Sequence, residues 1–153
     1  MVSGSVFESK YIAIDGVERN TRFNNNFVTN ALAGKEFIVG KKKNSAIDLN
    51  IRATYAGGLR YTPIDAARSM EKGYTVRDNS KAFAQRRPDY MRIDCKVSYR
   101  RNKKNTTRVW ELDVENVTNR LNTTGDWWNN QTQQVESWTQ MGLLPTINYR
   151  IEF

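Results

Sequence analysis

The chain has 153 residues, 39% hydrophobic, 26% charged and 11% aromatic, with a formal net charge of +8. With no histidine and one cysteine, Cys95, it lacks the commonest general base, any internal disulfide and any Cys/His zinc site. A mean hydropathy of -0.72 is low for a packed soluble core, yet 4 Trp and 7 Tyr argue against disorder; a sheet with a single apolar face satisfies both.

Period-two alternation, not helical spacing, organises the chain. Residues 3–14 form a weak strand candidate that ends at Asp15-Gly16, a hairpin signal. Residues 20–39 form a longer and less regular one, with Phe23, Phe27, Ala31, Ala33, Phe37 and Val39 in one register. A tight basic turn, Gly40-Lys41-Lys42-Lys43-Asn44, leads to Ile47, Leu49, Ile51, Ala53 and Tyr55, which alternate with Asp48, Asn50, Arg52 and Thr54. Residues 59–87 are long, polar and irregular, with one short helical stretch around Ile64 to Glu71.

The next strand sets Met91, Ile93, Cys95, Val97 and Tyr99 against Arg92, Asp94, Lys96, Ser98 and Arg100. A second basic turn, Arg101-Asn102-Lys103-Lys104-Asn105, precedes Trp110, Leu112 and Val114, which alternate with Glu111, Asp113 and Glu115. Residues 118–137 read as another long, irregular connection and carry Trp127-Trp128. Thr146 to Phe153 alternates without a fault to the end of the chain.

The expected fold is therefore all-β, an antiparallel up-and-down meander of about six strands. Tracing it up and down places both short basic turns and the C-terminus at one end. The long connections and the Asp15-Gly16 turn fall at the other. Outer-membrane barrels sort their loops in this way as a rule. No run of about 18 apolar residues is present, so no helix is expected to cross a bilayer. The first residues, Met1 to Val6, have neither the basic start nor the apolar stretch of a signal peptide.

The two faces of these strands carry different chemistry. Arg92, Asp94, Lys96, Glu111, Asp113, Glu115 and Arg150 lie on a heavily charged face, expected to line an aqueous lumen. Met91, Ile93, Val97, Tyr99, Trp110, Leu112, Val114 and Ile147 lie on the uncharged face, expected to meet lipid, where a lone Arg or Lys at mid-depth costs about 2–4 kcal/mol. Cys95 reads as a small apolar residue on that same face. Tyr99, Trp110 and Tyr149 near the short turns, with Tyr55 and Tyr90 near the long loops, are candidate interfacial belts. The basic strand beside the acidic one predicts a register with Lys96 facing Glu111 and Arg92 facing Glu115.

Several segments resemble the C-terminal part of TonB-dependent outer-membrane receptors, particularly the Bacteroidetes type. Gln140 to Phe153, with its Pro145, alternating apolar residues and terminal aromatic, is similar to the last strand of their barrels. Pro88-Asp89-Tyr90-Met91-Arg92-Ile93-Asp94 resembles a "PDYxRxD" opening of the third-last strand, and Trp110 to Arg120 resembles the penultimate strand with an "NVTNR" exit. Tyr55 to Asp65 resembles a "GGxRYTPID" segment, and Gly34-Lys35-Glu36-Phe37 also fits.

The resemblance covers nearly all of residues 1–153. It implies one segment of a transmembrane barrel of about 22 strands that lacks its plug and N-terminal strands, at the cell outer membrane. The parent would be an active importer, not an enzyme, for a siderophore, cofactor, glycan or peptide. It would couple to TonB through the missing N-terminal part and could take a surface lipoprotein partner. Tyr149, Ile151 and Phe153 would form the signal read by the barrel-assembly machinery. Trp127 and Trp128 would sit in an external loop open to ligand. No catalytic residue, metal ligand or cofactor is expected, and the basic turns need no nucleic acid. The alternative, from another class, is a soluble basic β-sheet protein that binds nucleic acid or polyanions.

Overall fold

The computed structural model describes all 153 residues, Met1–Phe153. Strand occupies 56% of the chain and helix 7%, which makes the fold all-β. In chain order the elements are β1 (Val2–Val6), β2 (Lys10–Ile12), β3 (Glu18–Asn20), β4 (Phe27–Val39), β5 (Ser45–Ala56), β6 (Arg60–Tyr61), α1 (Ala66–Lys72), a 3-10 turn (Asn79–Lys81), β7 (Gln85–Arg86), β8 (Tyr90–Asn102), β9 (Thr107–Glu115), β10 (Thr123–Asn129), β11 (Gln134–Thr139) and β12 (Leu144–Glu152).

Six of these strands form the main sheet in the order β1-β4-β5-β8-β9-β12, and every neighbouring pair is antiparallel. It is a meander with excursions inserted. Residues 40–44 and 103–106 turn tightly at one end, where β12 also finishes. Residues 7–26, 57–89 and 116–143 all leave from the other end. The sorting of long and short connections expected from sequence is therefore present.

Three elements differ from expectation, each for a local reason. The stretch 3–14 splits, because Phe7 N–H donates to Asn26 O (2.9 Å) and Ser9 N–H to the Asn24 side chain (3.1 Å), which turns β2 out of the sheet. Asp15-Gly16 then closes the small β2–β3 hairpin, with Gly16 at φ 75° and Arg19 gripping Asp15 at 2.8 and 2.6 Å. That grip holds the Asp15 carboxyl at about 2.

The candidate 20–39 begins as a strand only at Phe27. Ahead of it the Asn24-Asn25-Asn26 bend, with Asn26 at φ 72°, leaves Phe23 in a loop at 66% exposure. Finally, 118–137 is not irregular. Most of it is the β10–β11 hairpin, which polar residues on both faces had hidden. The helix forms close to where expected, with Asp65 accepting from Arg68 N–H at its start and Gly73 at φ 73° at its end.

Hydrophobic burial does not hold this molecule together. Of its 16 buried residues only Ala46, Ala56, Val109 and Trp128 are hydrophobic, too few to make a core. Contacts between elements run along the strand ladders, and no helix or second sheet covers the main sheet.

Candidate functional site

The register aligns the apolar side chains in rows across the sheet. Phe37, Ile47, Tyr99, Trp110 and Tyr149 form the row nearest the short turns. The Trp110 and Tyr149 rings lie 4.1 Å apart in this row. Above it come Leu49, Val97, Leu112 and Ile147, then Ala33, Ile51, Cys95, Val114 and Pro145, then Ala53 and Ile93. Tyr55 and Met91 end the series, with Phe27 5.2 Å from the Tyr55 ring. The apolar residues placed on one face from sequence therefore do share one face, and nothing packs on it. Trp110 is 51% exposed and Ile147 77%.

Two features of this face depart from expectation. Tyr90 pairs with Ala56 on the opposite face, so Phe27, not Tyr90, joins Tyr55 at the long-loop end. Tyr90 directly precedes Met91 in the same strand, and successive strand residues point to opposite faces. Lys35 lies on the apolar face in the row of Leu49, on a strand outside the three whose faces were read as uncharged. Its ammonium sits 5.1 Å from the centre of the Phe37 ring, so the chain bends toward the short-turn edge instead of standing upright.

Arg92, Asp94, Lys96, Glu111, Asp113, Glu115 and Arg150 share the other face. Both expected ion pairs form, Lys96–Glu111 at 3.2 Å and Arg92–Glu115 at 2.7 Å, but on the diagonal. Lys96 stands directly opposite Asp113, and Glu111 opposite Ser98, so the predicted register is wrong by two residues. Long side chains reach diagonal neighbours readily, which is why contact survives the slip.

Asp94, 7% exposed, is the hub of this face. It accepts from Arg52 at 2.6 and 3.0 Å, from Arg92 at 2.6 Å and from Asn116 N–H at 2.9 Å. The role of Arg52 was invisible in sequence, because it depends on the β5–β8 register.

The segments that carry the family resemblance converge at the long-loop end, where they tie strand ends to excursions. Asp89 accepts from Gly58 N–H, Arg86 and the Tyr55 hydroxyl, all within 3.1 Å. The Asn122 side chain takes both the N–H and the C=O of Met91, as a neighbouring strand would. The Asn116 side chain, on a residue at φ 53°, accepts from the Thr118 hydroxyl and Arg120 N–H and donates to Arg120 O.

Gly57 and Gly58 let three segments meet. A Cβ on Gly57 would lie 1.8 Å from Asn25 O, and one on Gly58 1.8 Å from Arg87 O. Arg87, buried at 9%, then reaches Asp126 through two parallel bonds of 2.7 and 2.8 Å. Burial pushes the Asp126 carboxyl up, but bonds from Arg87 and Ser137 outweigh it and hold the group below its ordinary value.

Trp127 and Trp128 part company. Trp128 is 5% exposed; its N–H donates to the Thr75 hydroxyl (2.9 Å) and its ring N–H to Asn130. It anchors the hairpin to the 57–89 excursion and faces no solvent. Trp127 is open at 38% and stands edge-on to Trp138, 6.5 Å away. At the chain end, Tyr149 and Ile151 lie on the apolar face, while Phe153 follows the last strand residue and is fully exposed. No protein-family model, curated protein or solved structure matches the chain.

Proposed function

We propose that this chain is the C-terminal segment of a TonB-dependent receptor, contributing six strands to a transmembrane barrel at the outer membrane. The observation that carries the reading is the pair of unlike sheet faces. One is uncovered and apolar across all six strands except for Lys35, Thr29 and, at the short-turn edge, Ser45, Arg101 and Arg108; the other is an ion-paired network. Hydrocarbon covers the first without a second protein layer, and a wet lumen solvates the second.

The dimensions agree with this. From the Tyr99 row to the Met91 row is eight residues, about 26 Å along a strand. At a tilt of 35–45° that is roughly 20 Å of height, near the apolar band of about 25 Å in such barrels. Phe37, Tyr99, Trp110 and Tyr149 then form one interfacial girdle, and Lys35 snorkels to it. The long excursions face outside and the basic turns face the periplasm.

The free edges of β1 and β12 cannot stay unpaired in lipid, so further strands complete the wall. The parent importer takes up a siderophore, cofactor, glycan or peptide with energy relayed by TonB. Lipid contacts the Val97 and Leu112 face, and the assembly machinery reads Tyr149, Ile151 and Phe153.

Nitroxide labels at positions 97, 98, 111 and 112, read in lipid bilayers, test the proposal. Oxygen should relax the labels at 97 and 112 and a water-soluble nickel complex those at 98 and 111. Equal nickel access at all four would end the membrane reading. It would favour the soluble polyanion-binding alternative, which leaves the uncovered apolar face unexplained.

A further inference from the structure

At the loop end, a pocket of about 340 Å³ is lined by four arginines, Arg22, Arg60, Arg77 and Arg87, and by no acidic residue. Two of the four are occupied. Arg87 is spent on Asp126 and stacks over the Tyr61 ring at 4.5 Å, and Arg77 donates to the backbone oxygens of Thr62 and Asp126. The other two are not. Neither the Arg22 nor the Arg60 guanidinium makes any hydrogen bond or salt bridge; Arg22 is exposed and lies 5.9 Å over the Phe23 ring, while Arg60 Nε is buried with no partner.

A buried donor without an acceptor is costly in a native fold and calls for an explanation. Like charges gathered in one recess repel unless an anion joins them. The backbone enforces this crowding. Arg60 N–H donates to Arg22 O at 3.0 Å, and the close approach at Gly58 brings Arg87 in from a third segment.

We propose that this pocket binds a small oxyanion bearing two or more charges, a phosphate or a dicarboxylate, between Arg22 and Arg60. Planar guanidinium forks bind either group through paired N–H···O bonds. Arg77 and Arg87, already fixed by their own partners, hold the walls and add positive potential. The volume admits a small solute of this kind. The inference stands on the pocket alone and does not require the sheet to lie in a membrane.

Titration calorimetry on the full 153-residue chain in detergent micelles tests it, with inorganic phosphate, glucose 6-phosphate, succinate and glucose as probes. Phosphate or succinate should bind with a Kd below about 1 mM, weakening as salt rises, while glucose stays silent. Binding of the phosphates alone, or of succinate alone, supports the pocket and names its anion.

The double variant R22Q/R60Q should lose at least tenfold in affinity, and R60K should keep part of it. Circular dichroism of the unaltered chain and of each variant confirms the all-β fold before binding is read. Absence of binding to all three anions in the unaltered chain would overturn the proposal. So would affinity that R22Q/R60Q leaves unchanged.

Discussion

The main sheet and the loop end are built on opposite principles. The sheet turns its hydrophobic side chains outward and buries almost none of them; its cohesion comes from backbone ladders and from ion pairs both directly opposite and diagonal. At the loop end the polar side chains go inside. Of the ten buried polar or charged residues, seven lie in the excursions: Asn24, Thr62, Ser69, Arg87, Asn116, Asn122 and Asp126. Each of these seven has a hydrogen-bond partner, which is what makes a polar interior tolerable. The sheet therefore leaves its apolar side chains uncovered, whereas the loop end carries its own specific pairing. Perturbations should separate the two.

The largest effect is expected at the loop end. Asp126→Ala strands Arg87 in a buried site, a loss of about 3–5 kcal/mol when one partner of a buried pair is removed. Hydrogen exchange at Trp128 and Asn129 should accelerate to match, while amides of β5 and β8 keep their protection. Uniform loss across both regions would show that they are not independent.

Next comes the middle of the apolar face. Val114→Arg should cost about 2–4 kcal/mol on insertion into lipid vesicles, measured by reversible unfolding in urea. Asp113→Asn, one residue away on the ionic face, should cost under about 1 kcal/mol. Similar losses at both positions would remove the distinction between the faces.

Acid should weaken the buried pair of the loop end. The Asp126 carboxyl titrates below its ordinary value of 3.8 in the folded chain. Its pairing with Arg87 therefore stabilises fully above about pH 4 and is lost as pH falls through the lower folded-state value. Tryptophan fluorescence should report exposure of Trp128 in that window, and the change should vanish in Asp126→Asn.

The smallest effect belongs to the diagonal pair. Reversing Lys96 or Glu111 alone should cost about 0.2–1 kcal/mol, and reversing both should restore most of it. A double reversal no better than either single one would show that the diagonal contact contributes nothing.

The sheet was legible because alternation is a local property. Met91 to Tyr99 and Ile147 to Phe153 announce strands by themselves, and which side chains share a face follows from strand geometry alone. Register was less legible, because Lys96 could meet Glu111 or Asp113 with equal chemical sense. The loop end was scarcely legible at all. Its excursions mix polar residues without period, so the β10–β11 hairpin read as irregular chain. Arg87 and Asp126, 39 residues apart, carry no mark of their partnership, and Trp128 looked as exposed as Trp127.

From the sequence alone come the all-β class, the positions of β5, β8, β9 and β12, the two unlike faces and the end of the sheet to which each connection belongs. All of these follow from covalent geometry and from spacing along the chain. The tertiary structure alone decided the two-residue register offset, the burial of Trp128 and the gathering of four arginines around one pocket. Each of these depends on which distant segments meet, and the close approach at Gly57 and Gly58 that brings them together leaves no periodic trace in the sequence.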